Sequence, residues 1–191
     1  GFPAIATKLK EIRAKKGLNL TLHAGDAITG DLYYTLFKGK ADAALMNALC
    51  FDAFALGNHE FDDGDAGLAS FLDELSKNRC NTQVLAANVK PEVGVSPLAK
   101  NSMTDYFKPH HIFVRGGFEI GVIGIDIAKK TKQSSSPDET TIFTDEFRTA
   151  QDEIDKLMAK GVTRIILLTH YQYENDLALA QKLRGVDVII G

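Results

Sequence analysis

Apolar positions along the chain follow two periods that alternate. Ile5, Leu9 and Ile12 fall at i, i+4 and i+7, and Gly17 follows, which predicts an amphipathic helix over residues 4–16 with a glycine stop. Leu18-Asn19-Leu20-Thr21-Leu22 alternates as a strand does and runs into His23-Ala24-Gly25-Asp26. An Ala-rich helix over 40–50 precedes a short buried strand over 53–56. Leu68, Phe71, Leu72 and Leu75 share one face of a helix over 65–78, and a strand over 84–89 follows. Residues 90–110 hold Pro91, Pro97 and Pro109 and read as a long polar excursion, with His110-His111 at its surface. Ile112–Arg115, Gly116-Gly117 and Phe118–Asp126 read as a hairpin. A polar loop over 129–143 leads to a helix over 145–160 with Phe147, Ala150, Ile154, Leu157 and Met158 inward. A strand over 164–169 ends at His170, and a helix over 174–184 and a strand over 186–190 close the chain. Helices alternating with short apolar strands predict an α/β fold with helices covering a sheet. The hairpin adds an antiparallel element, so the sheet is expected to be mixed.

Composition narrows the class without choosing a function. The 191 residues are 45% apolar and 25% charged, enough for one domain with a substantial core. A net charge of −3 argues against a broad nucleic-acid-binding surface, and Lys129-Lys130-Thr131-Lys132 reads as a solvated loop. No apolar stretch reaches the length of a membrane span, and Gly1-Phe2-Pro3 has neither the basic start nor the apolar run of a signal peptide. Cys50 and Cys80 form no CxxC pair, so they make no zinc knuckle. Each ends a helix before a strand. They are expected to be two small buried thiols, although neighbouring strands would permit a disulfide.

Polar residues accumulate at one kind of place. Asp26, Asn58 with His59, Asn88, Asp126 and His170 each sit at or just past the C-terminal end of a predicted strand, the edge where open α/β sheets bind ligands. Asp, Asn and His offer oxygen and nitrogen donors suited to zinc, manganese or iron. Each also has a plainer reading: Asp26 as a helix cap, Asn58 as a turn residue, His170 as a satisfied core histidine, Asn88 and Asp126 as structural caps. His59 is harder to explain as structure. Asp62, three residues on, is placed to accept from one ring nitrogen and leave the other facing the rim as an oriented acid.

Gly25-Asp26-Ala27-Ile28-Thr29-Gly30, Leu56-Gly57-Asn58-His59-Glu60-Phe61-Asp62, Leu85-Ala86-Ala87-Asn88-Val89 and Leu168-Thr169-His170 resemble, in order and spacing, the calcineurin-like metallophosphoesterases. More narrowly they are similar to the branch of secreted and periplasmic 5′-nucleotidases and UDP-sugar hydrolases. The resemblance runs through Arg184–Gly191. It implies a four-layer α-β-β-α fold, a mixed β-sandwich flanked by helices, with two divalent ions, zinc, manganese or similar, at the strand ends. It implies that Asp26 bridges both ions and that Asn58 and His170 bind one of them. Asn58 and His59 would lie at the substrate phosphate, and His59, oriented by Asp62, would be the catalytic histidine. The activity implied is hydrolysis of phosphate monoesters, with nucleoside 5′-monophosphates as small-molecule substrates, in a periplasmic or extracellular setting. Cyclic-nucleotide phosphodiesterase, UDP-sugar hydrolase and thiosulfohydrolase activities belong to the same class. The resemblance leaves the oligomeric state open.

The family pattern extends beyond this sequence. Its opening Asp-x-His motif would precede residue 1, its Gly-His-x-His motif would begin at Gly191, and its C-terminal substrate domain would follow. Residues 1–191 are thus expected to carry the middle of a metallophosphoesterase domain and to bind metal weakly alone. The rival expectation is a non-catalytic metal-binding scaffold or an inactive fragment.

Overall fold

A computed structural model describes residues 1–15, 17–77 and 80–191. The last residues of the predicted helices over 4–16 and 65–78 therefore lie outside the described residues. Two sheets carry the architecture. In the first, β1 (Leu22–His23), β2 (Ala53–Ala55) and β3 (Gln83–Leu85) run parallel in that order. In the second, β5 (His110–Arg115), β6 (Phe118–Asp126), β8 (Ile165–His170) and β9 (Val188–Ile190) lie side by side. There β5 is antiparallel to β6, and β8 and β9 are parallel to it. The expected mixed character comes from the β5–β6 hairpin.

The sheets face each other across Ala53, Ala55, Leu85, Phe113, Val122 and Leu168. The outer face of the first sheet packs Phe54 and Leu56 against α3 (Lys40–Leu49) and α4 (Gly64–Ser76) through Met46, Leu68, Phe71 and Leu72. The outer face of the second packs Ile123, Ile125, Ile165 and Leu167 against α6 (Glu146–Ala159) and α7 (Tyr173–Lys182) through Ile154, Leu157 and Leu179. This is the α-β-β-α sandwich, with strand faces buried on both sides as their near-continuous apolar runs require.

Several elements differ from the sequence expectation for identifiable reasons. The alternation over 18–22 yields only two paired residues. Ahead of them the Thr21 N–H donates to the Asp52 carboxylate at 2.7 Å, and Leu18 is exposed. The strand expected over 84–89 breaks because the chain crosses between sheets. The Ala86 N–H donates to Lys108 O and the Ala87 N–H to Gly124 O, after which β4 (Val89–Pro91) pairs with β7 (Thr141–Phe143). The polar stretch over 129–143 holds both β7 and α5 (Ala128–Ser134), whose inward face is only Ala128 and Thr131. A helix with so little apolar surface leaves almost no periodic signal. A six-residue helix, α2 (Leu32–Phe37), starts where Asp31 accepts from the Tyr34 N–H at 2.8 Å. α1 (Phe2–Ala14) begins two residues before the predicted start, with Pro3 in its first turn.

Two readings are corrected outright. Cys50 and Cys80 are joined by a disulfide with Cα atoms 5.2 Å apart, because β2 and β3, which follow them, are neighbours. His110 and His111 belong to β5, and the His110 ring is half-buried with Nδ1 2.6 Å from Glu153 Oε2.

Candidate active site

Three segments far apart in sequence meet at the C-terminal ends of the strands: the turn after β1, a 3₁₀ turn over Asn58–Phe61 after β2, and the end of β8. Two glycines make the meeting possible. Gly25 has φ +95°, and a Cβ there would lie 2.8 Å from His170 Nδ1 and 2.9 Å from Gly57 N. A Cβ on Gly57 would lie 2.7 Å from Asp26 N and 2.9 Å from His170 Cγ. A side chain at either position would force the segments apart.

Asp26 follows in a left-handed conformation, φ 55°. Its Oδ1 accepts the His59 backbone N–H at 3.1 Å, and its Oδ2 lies 3.0 Å from His170 Nε2. Burial pushes the Asp26 carboxyl up, but hydrogen bonds from the His170 ring and the His59 N–H outweigh it and hold the group below its ordinary value. The other ring nitrogen, His170 Nδ1, is 2.9 Å from the Ala24 carbonyl oxygen. That oxygen can only accept, so Nδ1 carries a proton, and a neutral ring turns its Nε2 lone pair toward the Asp26 carboxylate. Two lone pairs 3.0 Å apart repel unless a proton or a cation lies between them. Burial lowers the His170 pKa, but the contacts with Asp26 and with Ala24 O raise it more, so it lies above the usual imidazole value.

Asn58 is fully buried, and neither Oδ1 nor Nδ2 of its side chain has a hydrogen-bond partner among the described residues. A buried unpaired amide costs about 1–3 kcal/mol. Asn58 follows Gly57, which packs on Asp26 and His170, and an amide oxygen, a carboxylate and an imidazole nitrogen are donor types that suit a divalent cation. Among the described residues no group of three or more His, Cys, Asp and Glu side chains is gathered to hold a metal.

His59 Nδ1 lies 2.7 Å from Asp62 Oδ2. The carboxylate accepts, which leaves Nε2 of the half-buried ring without a hydrogen-bond partner among the described residues. Asn88 and Asp126 tie the stretch that enters β4 to the end of β6. Asn88 Nδ2 donates to Asp126 O at 2.8 Å, and the Asp126 N–H donates back to Asn88 Oδ1 at 2.9 Å. The Asp126 carboxyl is pushed up to about 7, chiefly by burial, although Thr131 Oγ1 donates to Oδ2 at 2.7 Å. The structure thus brings Asp26, Asn58, His59, Asp62 and His170 to one rim and gives Asn88 a bracing position.

Two neighbours of the site were not singled out by the sequence. Glu60 is buried and accepts the Gly57 N–H at 2.6 Å, the Asp26 N–H at 2.9 Å and the Ala27 N–H at 2.6 Å. Burial pushes its carboxyl up to about 7, against the pull of those three donors. The available signal was its place three residues after Gly57, capping-box spacing at the start of a turn. His23 meets Phe51 and Phe54 edge-on, and burial, then the charge on His170, lowers its pKa while Asp26 opposes them.

The family described as calcineurin-like phosphoesterase matches residues 1–191. The chain is 46% identical over 191 residues to the NAD 5′-nucleotidase of Haemophilus influenzae, covering all of this chain and 30% of that protein. It is 40% identical over 191 residues to the 5′-nucleotidase of Bos taurus, covering 32% of it. A solved structure of the Haemophilus influenzae NAD nucleotidase superposes with a TM-score of 0.90 over 99% of this chain and 35% of that one, at 46% identity. A 5′-nucleotidase precursor from Thermus thermophilus superposes with a TM-score of 0.86 at 36% identity, over 97% of this chain and 34% of that one. The chain spans about a third of the length of these relatives.

Proposed function

We propose, from the premise that the chain belongs to the calcineurin-like phosphoesterase family, that the protein carrying it hydrolyses phosphate monoesters with the help of divalent metal ions, and that nucleoside 5′-monophosphates are its substrates. One observation carries the reading. The Nε2 of His170 and a carboxylate oxygen of Asp26 face each other at 3.0 Å, beside a buried Asn58 amide with no partner among the described residues. That is a place prepared for positive charge.

Asp26, Asn58 and His170 would hold the metal, with two zinc or manganese ions as the finer expectation. When bound, such ions polarise the phosphoryl group and acidify the attacking water. The remaining tasks fall to side chains of this chain. Asn58 Nδ2 donates to a phosphoryl oxygen. His59 Nε2, the nitrogen left over by the contact with Asp62, meets the departing alkoxide oxygen, and a proton at Nε2 passes to it. Ala24 O keeps the proton of His170 on Nδ1, so that Nε2 keeps its lone pair for a metal ion. Relatives named 5′-nucleotidase at 40 to 46% identity support the substrate class. The disulfide suits an oxidising compartment and so a periplasmic or extracellular setting. Among the described residues no helix is long and apolar enough to cross a membrane.

The test is phosphate release by the full-length protein from AMP, a UDP-sugar, a 2′,3′-cyclic nucleotide and NAD, before and after chelation. AMP is expected to be turned over fastest, with activity lost on chelation and restored by manganese or zinc. Hydrolysis that persists in excess chelator, or a metal-loaded protein inert toward every nucleotide, would overturn the reading.

A further inference from the structure

We infer that Glu60 is a positioning residue: its buried carboxylate clamps the turn holding Asp26 to the turn holding Asn58 and so sets the spacing of the metal-holding side chains. The inference rests on the metal reading above. The Glu60 side chain makes no hydrogen bond to the side chain of Asp26, Asn58 or His170. It acts through the backbone of both turns.

The three N–H groups that it receives belong to the peptides on either side of Asp26 and to the peptide that enters Gly57 from Leu56, one residue before Asn58. Their donors lie 34, 33 and 3 residues away along the chain, so one carboxylate ties two segments that nothing local would hold together. It also maintains an unfavourable backbone. Asp26 has φ 55°, a conformation that a non-glycine residue keeps only when its surroundings impose it. The N–H bonds on both sides of Asp26 end on Glu60, and the carboxylate is 1% exposed, so water cannot replace it. The Asp26 side chain returns along the same path: its Oδ1 accepts the N–H of His59 from the second turn. Clamp and cross-bond together place Asp26 Oδ2 at His170 Nε2. Partners that orient metal ligands at this remove typically change metal affinity about 10- to 100-fold when altered.

Asp65 supplies the contrast. It is equally buried and also receives several donors, Ser96 Oγ and Thr141 Oγ1 at 2.5 Å and the Asp138 N–H at 3.2 Å. It ties α4 to the excursion after β4 and to β7, and makes no hydrogen bond to the Asp26 or Asn58 turns. Loss of a buried carboxylate as such would therefore act alike at both positions, and loss of the clamp only at Glu60.

The experiment titrates metal-free, full-length protein with manganese(II), reads free ion by electron paramagnetic resonance, and measures the thermal midpoint by circular dichroism. Glu60→Gln keeps the size but turns an amide NH2 toward backbone N–H donors. It is expected to raise the manganese Kd by about tenfold or more. Glu60→Asp keeps the charge on a shorter arm and should fall between it and wild type. Asp65→Asn should lower the thermal midpoint and leave the Kd within about threefold of wild type. A folded Glu60→Gln protein with wild-type Kd overturns the inference, and so does Asp65→Asn raising the Kd as much as Glu60→Gln. If Glu60→Gln does not fold, Glu60→Asp decides: a Kd raised at least about threefold supports the clamp, and a wild-type Kd overturns it. A wild-type protein that takes up no manganese overturns the metal reading itself, and the inference with it.

Discussion

In the proposed mechanism Asp62 reaches the reaction only through His59, and that dependence can be measured. The Nδ1 to Oδ2 contact is 2.7 Å, but the two side chains are 43% and 26% exposed. A short charge-assisted hydrogen bond open to solvent to that extent contributes about 1 to 1.5 kcal/mol rather than the larger value of a dry one. Asp62→Ala in the full-length protein should therefore lower kcat by about tenfold, since about 1.4 kcal/mol is one factor of ten. His59→Ala removes the group at the leaving oxygen and should lower kcat by roughly a hundredfold, about 2.7 kcal/mol. The double variant should match His59→Ala alone, because without the ring the carboxylate has nothing to orient. The assay is phosphate release from AMP at saturating substrate, normalised to bound metal measured on the same samples. Losses that multiply, so that the double variant is about a thousandfold down, would show Asp62 acting independently and refute the reasoning.

Removing the disulfide by Cys50→Ser with Cys80→Ser opens a loop whose ends are 30 residues apart and should cost roughly 3 to 4 kcal/mol of unfolding free energy by loop-closure entropy. Urea denaturation checks it, and a midpoint equal to wild type would contradict it. Glu153 is buried between His110 Nδ1 and Lys156 Nζ, both at 2.6 Å; burial opposes its ionisation, yet these partners hold its carboxyl at about 2, against 4.5 for an ordinary glutamate. A depressed carboxyl contributes stability that is fully present above the unfolded value, near 4.5, and is lost as pH falls toward about 2. Glu153→Gln should accordingly lower stability by roughly 2 to 3 kcal/mol at pH 7 and by much less at about pH 3; an equal difference at both would contradict the assignment. Gly57→Ala should push the Asp26 and His170 segments apart and reduce bound metal, as read by elemental analysis, while the far-UV spectrum stays native.

Much of the fold was legible because its strands are short apolar runs between helices with clear apolar faces. The helix end at Gly161 and the Gly116-Gly117 hairpin are local signals, and they were read locally. What escaped depends on distant partners. The bulk of α5 is polar and is held by Thr131 on Asp126, a pairing that periodicity does not carry. The break between β3 and β4 exists because the second sheet lies beside it, and the pairing of Cys50 with Cys80 follows from the adjacency of β2 and β3. The rim residues stood out at strand ends in the sequence, but their meeting is tertiary. His110 looked like surface beside Pro109, because its partner Glu153 is 43 residues away. Glu60 went unremarked for the same reason: two of its three donors lie on another turn.

In the proposed mechanism Asp26, Asn58 and His170 hold metal while His59 does not. Metal content of the dialysed full-length protein by inductively coupled plasma mass spectrometry tests it most directly, comparing wild type, Asp26→Ala and His59→Ala. The account predicts that Asp26→Ala loses most of the bound metal and that His59→Ala retains the wild-type amount with activity reduced about a hundredfold. Metal lost from His59→Ala, or retained in full by Asp26→Ala, would contradict it.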